Sequence, residues 1–257
     1  MAENTALKSL QKSLASLTQS QIDWVSAVVR QFRLPHKFTR SQDSDFVTEE
    51  VLEMLGDALR IHHAFSCQAL SKDRFEYALE SSLRRSGIPA ELVGSRTNRG
   101  HDITIMGVPV SLKTQADKGI RLDKLHISKF MELGKGAWEL PLLRDMFAAH
   151  MESYERILQF RCLLLTASEY RYELVEIPKS LLSEAMEVDL EICVNSKQAP
   201  KPGYARVFDS NRKLKYELYF DAGTERKLQV KNIRKDLCIV HASWHFGSTP
   251  IEQSLPR

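Results

Sequence analysis

The sequence predicts an α/β fold with a helical region at its N-terminal end. Three observations carry that reading. Apolar residues recur at three- and four-residue steps through the first third of the chain. From about residue 90, short strand-like segments bounded by turn residues take over. The apolar fraction of 43% and the charged fraction of 27%, over 257 residues, are those of a globular protein able to bury a substantial core.

In order along the chain, Leu7, Leu10, Leu14 and Leu17 mark a first amphipathic helix, and Ile22, Val25, Val29 and Phe32 a second that Pro35 stops. Thr18 followed by Gln21 fits a capping box between them. Residues 45–62 repeat the pattern with Val47, Val51, Leu52, Leu55 and Leu59. In "SKDRFEYALESSLRRSG", Phe75, Leu79, Ser82 and Leu83 share one face and Gly87 ends the helix. "AELVG", "HDITIM" and "VPVSLKTQ" then read as strands. A long helix is expected from about Lys135 to Phe160. "CLLLTA" and "YRYELVEI" follow as a strand pair, the first apolar enough to be covered on both faces. Pro178 suits the first turn of a short helix, "PKSLLSEAM". The tail returns to strands in "ARVFD", "KYELYFD", "KLQVKN" and "CIVHASWHF", with "NSKQAPKPGY" as a loop interrupting them. A single domain is expected over 1–257: a helical region over 1–70, a core over 71–186 and a β-rich part over 187–257.

Several function classes are disfavoured. A formal charge of +3 is mildly basic, compatible with nucleic acid but too small to require it. Cys67, Cys162, Cys193 and Cys238 form no CxxC pair, so buried reduced thiols are expected rather than a zinc cluster. The N-terminal segment lacks the apolar core of a signal peptide, and no apolar run reaches membrane-spanning length. A cytoplasmic protein without membrane partners is expected. His241 and His245 would stand about 13 Å apart along a strand, too far to share one metal. His62 and His63 point in different directions on a helix. "FDAGTERK" lacks the spacing of a phosphate-binding loop.

The chemistry concentrates in "RGHDITIMGVPVSLKTQAD", residues 99–117. With a two-residue turn at Gly107-Val108, Asp102 falls opposite Lys113. Ser111, Lys113 and Gln115 share one face, while Val110 and Leu112 point into the core. Such a pair is commonly a plain cross-strand ion pair. It is also what phosphodiester hydrolysis needs. Asp102 and the Leu112 backbone carbonyl suit Mg²⁺, a hard cation that keeps several waters. Lys113 suits the orientation of the attacking water or the stabilisation of the transition state. Ser111 stands where a second strand carboxylate is usual. On the upstream helix, Glu80 has Arg84 at i+4 and reads as a solvated pair. Glu76, beside Leu79 and Leu83, is the expected auxiliary acid, acting on the metal through a water, although Lys72 is also within i,i+4 reach of it. Arg96, Asn98 and Arg99 precede Asp102, and Lys118, Arg121 and Lys124 follow Lys113. Such donors contact phosphates. Lys197, Lys201, Arg206, Arg226, Lys227 and Lys231 give the β-rich part its own basic residues, expected to reach DNA.

The order helix Glu, Asp, then Lys on an adjoining strand resembles the PD-(D/E)xK nuclease superfamily. The stretches "SRTNRGHDITI", "MELGKGAW", "LVEIPKSLL", "KQAPKPGY", "YFDAGTERKLQVKN" and "CIVHASW", spread from Phe46 to Phe246, are similar to the SmaI family of type II restriction endonucleases. The resemblance implies a restriction-endonuclease-like mixed sheet flanked by helices. It implies Mg²⁺-dependent cleavage of double-stranded DNA by a homodimer at a GC-rich palindrome such as CCCGGG. The motif's metal-binding Asp falls on Asp102, its lysine on Lys113 and its helix Glu on Glu76, while Ser111 departs from the pattern. Two other readings compete: a DNA-binding protein that lost catalysis through Ser111, and a repair nuclease that reads DNA structure rather than sequence.

Overall fold

The computed structural model describes residues 2–94, 100–116, 119–164 and 168–248. Four helices dominate the N-terminal third: α1 (Ala2–Leu14), α2 (Gln19–Arg33), α3 (Glu49–Phe65) and α4 (Lys72–Arg85), with strand β1 (His36–Arg40) between the second and third. The capping box forms as its residues require: Thr18 Oγ1 accepts from the Gln21 amide, and Gln21 Oε1 accepts from the Thr18 amide. Thr48 and Ser71 cap α3 and α4 in the same side-chain manner. Then follow β2 (Ala90–Leu92), β3 (Ile103–Ile105), β4 (Val108–Gln115), β5 (Lys124–Glu132), α5 (Leu140–Met151), β6 (Arg156–Leu164), β7 (Glu169–Glu176) and α6 (Lys179–Ser183). The chain ends in β8 (Leu190–Ile192), β9 (Gly203–Phe208), β10 (Leu214–Asp221), β11 (Lys227–Arg234) and β12 (Ile239–Gly247).

The strands form two sheets. A seven-stranded sheet runs β1-β12-β7-β6-β4-β3-β2, and it is mixed because β4 and β6 are parallel while its other neighbours are antiparallel. A five-stranded antiparallel sheet runs β5-β11-β10-β9-β8. The sheets interleave along the chain, since β5 belongs to the second and β12 returns to the first.

Alternation along the central strands separates two cores. Val110, Leu112, Leu158, Phe160 and Leu174 face α3 and α4, packing with Leu55, Leu59, Phe75, Leu79 and Trp244. Ile157 and Val175 face the other way, packing with Phe147 of α5, Leu182 of α6 and Tyr216, Leu218 and Val230 of the second sheet. The seven-stranded sheet is therefore covered on both faces, so β6 carries buried apolar residues on each, Ile157 on one and Leu158 and Phe160 on the other.

Three expectations are corrected. The expected helix over residues 135–160 is α5 alone, because Tyr154 is buried in the core and Ile157, Leu158 and Phe160 are buried there as part of β6. Cys67 is exposed, and all four cysteines are free thiols. The turn joining β3 to β4 is Met106-Gly107, both at positive φ (50° and 81°), not Gly107-Val108. Such a turn follows the right-handed twist of the hairpin. Among the described residues, no helix is long and apolar enough to cross a membrane.

Candidate active site

The shifted turn moves the register by two residues and so preserves the faces. Ile103 pairs with Val110, and the Asp102 amide donates to the Val110 carbonyl. Asp102 thus stands beside Ser111 rather than Lys113. The consequence is a tightly held carboxylate. Its Oδ2 accepts from the Leu112 amide at 2.6 Å and from the Ser111 hydroxyl at 3.3 Å. Ser111 is buried and supplies a donor where a second acid would have added a charge.

The other oxygen faces α4. Lys72 Nζ donates to Asp102 Oδ1 at 2.7 Å and lies 3.2 Å from Glu76 Oε1. Glu76 is therefore brought to the site, as its place beside the apolar ridge predicted. Burial pushes its carboxyl above the usual range, against the pull of Lys72. Glu80, by contrast, is not a solvated pair. Its Oε1 accepts from the Leu92 amide at 3.1 Å and ties α4 to the edge strand β2, with Arg84 more distant at 3.8 Å.

Lys113 lies one step along the same face as Ser111, with Nζ 5.5 Å from the centre of the Phe130 ring. Burial lowers its ammonium from 10.5 to about 8, against the attraction of Asp102. Three residues that the sequence did not single out surround this part of the site. Gln159 pairs with Lys113 across the parallel β4–β6 ladder. His150, stacked edge-on against Phe130 and Tyr154, is held neutral to about 4 by burial and then by the charge of Lys113. Burial, then the charge of Asp102, raises the Tyr154 hydroxyl. His150 Nε2, Tyr154 Oη and Gln159 Oε1 are buried without a hydrogen-bond partner. They give the lysine a polar backing in an otherwise apolar core. No periodicity or motif marks them; only the approach of α5 to β6 does.

An open cleft of about 360 Å³ gives access, bordered by Lys72, Lys113, Thr114, Ser128, Lys129 and Phe130. A larger one, of about 730 Å³, lies at the β2–β3 edge beside Arg84, Glu91 and Gly107 and holds none of these residues. Among the described residues there is no group of three or more His, Cys, Asp or Glu side chains able to hold a metal. The donors present nevertheless fit a hard divalent cation. Both carboxylates converge on one cation-sized position, which the Lys72 ammonium shows by filling it. A metal that retains several waters needs no further protein ligand.

The basic residues expected to reach DNA are dispersed. Arg96, Asn98, Arg99 and Lys118 lie outside the described residues. Arg121 is exposed and paired with Asp123 at 3.0 Å. On the second sheet, Arg206 is bridged between Glu191 and Glu217, and Lys231 Nζ lies 3.6 Å above the Tyr219 ring. Lys227 pairs with Glu225 at 2.9 Å, and Arg226 donates to the Gly136 carbonyl and stacks over Trp138. Lys201 donates to the Ser196 carbonyl, and Lys197 is exposed in the same loop. A third cleft, of about 270 Å³, joins the two sheets, with Gln115 at one side and Arg121, Lys124, Lys231 and Asn232 at the other.

Asp102, Glu76 of α4 and the half-buried Lys113 thus lie together at one end of the sheet, beside a cleft bordered by three lysines. Comparison with known proteins supplies the family. The chain is 49% identical over 214 residues to the type II restriction enzyme SmaI of Serratia marcescens, covering 83% of this chain and 87% of that one. No solved structure matches it. The family model for SmaI, described as type II site-specific deoxyribonuclease, matches residues 10–246. The chain belongs to the SmaI family of type II restriction endonucleases, which cleave double-stranded DNA and generally use a divalent metal.

Proposed function

We propose that this restriction endonuclease is a cytoplasmic, Mg²⁺-dependent homodimer that cuts double-stranded DNA at CCCGGG, with Asp102, Glu76 and Lys113 as its catalytic groups. The observation that carries the site assignment is the convergence of Asp102 and Glu76 on one cation, 2.7 and 3.2 Å from a shared ammonium. The specificity is supported by the 49% identity to SmaI.

In this reading Asp102 and the Leu112 carbonyl hold Mg²⁺, and Glu76 reaches it through a water. The Leu112 amide donates to Asp102, so strand geometry turns its carbonyl to the same edge, past the end of β3. When bound, Mg²⁺ neutralises phosphate charge and makes water more acidic. Asp102 is oriented by two donors and does not have to reorganise during turnover. Lys113 presents an ammonium that burial makes readier than usual to give up its proton. It is thus suited to hold the attacking water and to stabilise the charge that develops on the phosphate. Ser111 positions Asp102 without adding charge, and that is why the site functions without a second strand acid.

Recognition is assigned to the polar face of β9–β11. Lys231 and Asn232 border the cleft that also contains Gln115, two residues beyond Lys113 on the same strand. Arg96, Asn98, Arg99, Lys118, Arg121, Lys197, Lys201, Arg206, Arg226 and Lys227 are proposed to add phosphate or base contacts. The chain is proposed to form one domain over 1–257, whose 187–257 part recognises DNA through β8–β11, while β12 completes the seven-stranded sheet. A homodimer is the economical way to cut both strands of a palindrome. The N-terminal helices suit its interface, since Leu7 and Leu10 of α1 are more than half exposed.

The test is direct. A plasmid with a single CCCGGG should be linearised in Mg²⁺ and left intact with chelator, and single-base variants of the site should survive. Cutting at another sequence would overturn the specificity, cutting in chelator the metal requirement, and a monomer by sedimentation with DNA bound the dimer.

A further inference from the structure

Lys72 stands within i,i+4 reach of Glu76 on α4. The structure gives it a nearer partner thirty residues away, since Nζ lies 2.7 Å from Asp102 Oδ1 and 3.2 Å from Glu76 Oε1. A helix pair needs no third member, so the lysine is recruited by the site itself. Asp102 Oδ2 is already occupied by the Leu112 amide and the Ser111 hydroxyl. The side-chain oxygens that a metal would use are therefore the ones the ammonium holds.

A divalent cation takes a carboxylate oxygen such as Asp102 Oδ1 at about 2.0–2.6 Å, with room for the water that reaches Glu76, and cannot share that position with an ammonium, both because of space and because like charges repel. The metal enters only if Lys72 leaves. Leaving is mechanically easy, because its side chain is 40% exposed on an unbranched stem while its two partners are mostly enclosed. It lacks only an alternative partner. Lys72 also borders the open cleft beside Lys113 and Ser128, where a DNA phosphate would lie.

We propose that Lys72 is a built-in counter-ion that closes the metal position in the free protein and surrenders it when a DNA phosphate takes over the ammonium. Metal binding and DNA binding are then positively coupled, each raising the affinity of the other by the same factor. The device keeps two neighbouring carboxylates compensated in the free protein and withholds the metal until substrate is present. The proposal rests on the reading that Asp102 and Glu76 hold the metal.

Calorimetric titration with Ca²⁺ tests it on the full-length protein, with and without a duplex that the enzyme cuts in Mg²⁺. Wild type should bind Ca²⁺ about tenfold or more tightly once DNA is present. Lys72→Met should bind Ca²⁺ without DNA about tenfold more tightly than wild type, and should lose most of the DNA enhancement. Thermal melting confirms that the variant is folded, and Ca²⁺ should raise its melting temperature more than that of wild type. Lys72→Arg, which keeps the charge, should restore dependence on DNA. Equal or weaker Ca²⁺ binding by Lys72→Met without DNA overturns the role of Lys72. Ca²⁺ binding that survives Asp102→Asn in both backgrounds overturns the metal site instead, so the two failures are separable.

Discussion

The seven-stranded sheet gathers its polar groups from far apart in the chain, whereas the five-stranded sheet takes them from consecutive strands. Lys72, Asp102, Lys113, Tyr154 and Gln159 meet at one end of the first sheet, between two apolar cores. On the second, Tyr204 and Arg206, Glu217 and Tyr219, then Gln229 and Lys231 are alternate residues of β9, β10 and β11. Their opposite face buries Ala205, Val207, Leu218, Phe220 and Val230. The open face is a mesh of mutual contacts: Tyr204 and Tyr219 rings 4.7 Å apart, Arg206 on Glu217 at 3.1 Å, and Asn232 donating to Glu217 at 3.0 Å. An enclosed site fixes a few charges for one reaction. A broad face of paired charges can exchange its partners for those of a ligand, which is what reading a DNA surface requires. Changes in the first sheet should therefore act on turnover, and changes in the second on affinity and sequence choice.

The largest expected effect is at Asp102. Asp102→Asn keeps the shape but removes the charge a metal needs, so cleavage should fall on the order of a thousandfold or more. A mobility shift in Ca²⁺ should show DNA affinity retained. A variant that still cuts normally in Mg²⁺ would break the contrast at its root.

Next are Glu76 and Ser111. Glu76→Gln should slow single-turnover cleavage by about 10- to 100-fold, as expected for a group acting on the metal through water. Ser111→Ala should cost less than about tenfold, because Asp102 keeps the shorter bond from Leu112 and a neutral hydrogen bond is worth about 1 kcal/mol. The reverse order would make Ser111 the third catalytic group.

Lys113 separates function from stability. Its folded ammonium, lowered by burial to about 8 from 10.5, gives up its proton before the unfolded one does. Stability therefore rises with pH between those values, and the full cost of the buried charge is borne below about 8. Lys113→Met should not cut DNA, yet should gain on the order of 2 kcal/mol at pH 7, with the gain shrinking as pH approaches 10.5. Urea denaturation at the two pH values measures it; a less stable variant at pH 7 would show that the ammonium is better satisfied than its burial implies.

On the second sheet, Lys231→Ala should leave cutting of the cognate site largely intact and reduce discrimination at one base pair by about 1–3 kcal/mol. If instead only the salt dependence of binding becomes shallower, Lys231 contacts phosphate. The smallest effect is expected at the hairpin between the two catalytic strands. Met106 holds a φ of 50° that side chains seldom adopt, so Met106→Asn should add under about 1 kcal/mol of stability without altering cleavage.

The pattern of residues by itself determined the helices of the first third, the capping box at Thr18, and the core face of Val110 and Leu112. It also put Asp102 and Lys113 on one surface and Glu76 beside the apolar ridge of α4. These depend on periods of 3.6 and 2 and on short spacings, which a chain carries locally. The tertiary structure decided the rest. It set the register that puts Ser111 beside Asp102, because two turns one residue apart both preserve the alternation. It sent Glu80 to the Leu92 amide and brought Lys72 across to Asp102, choices that exist only once α4 docks against the sheet. It also lined Lys113 with Gln159, His150 and Tyr154, and returned β12 to the first sheet while giving β5 to the second. None of these leaves a local trace, because the energy of a contact between distant segments depends on which surfaces the fold brings together, and no short stretch of sequence contains that information.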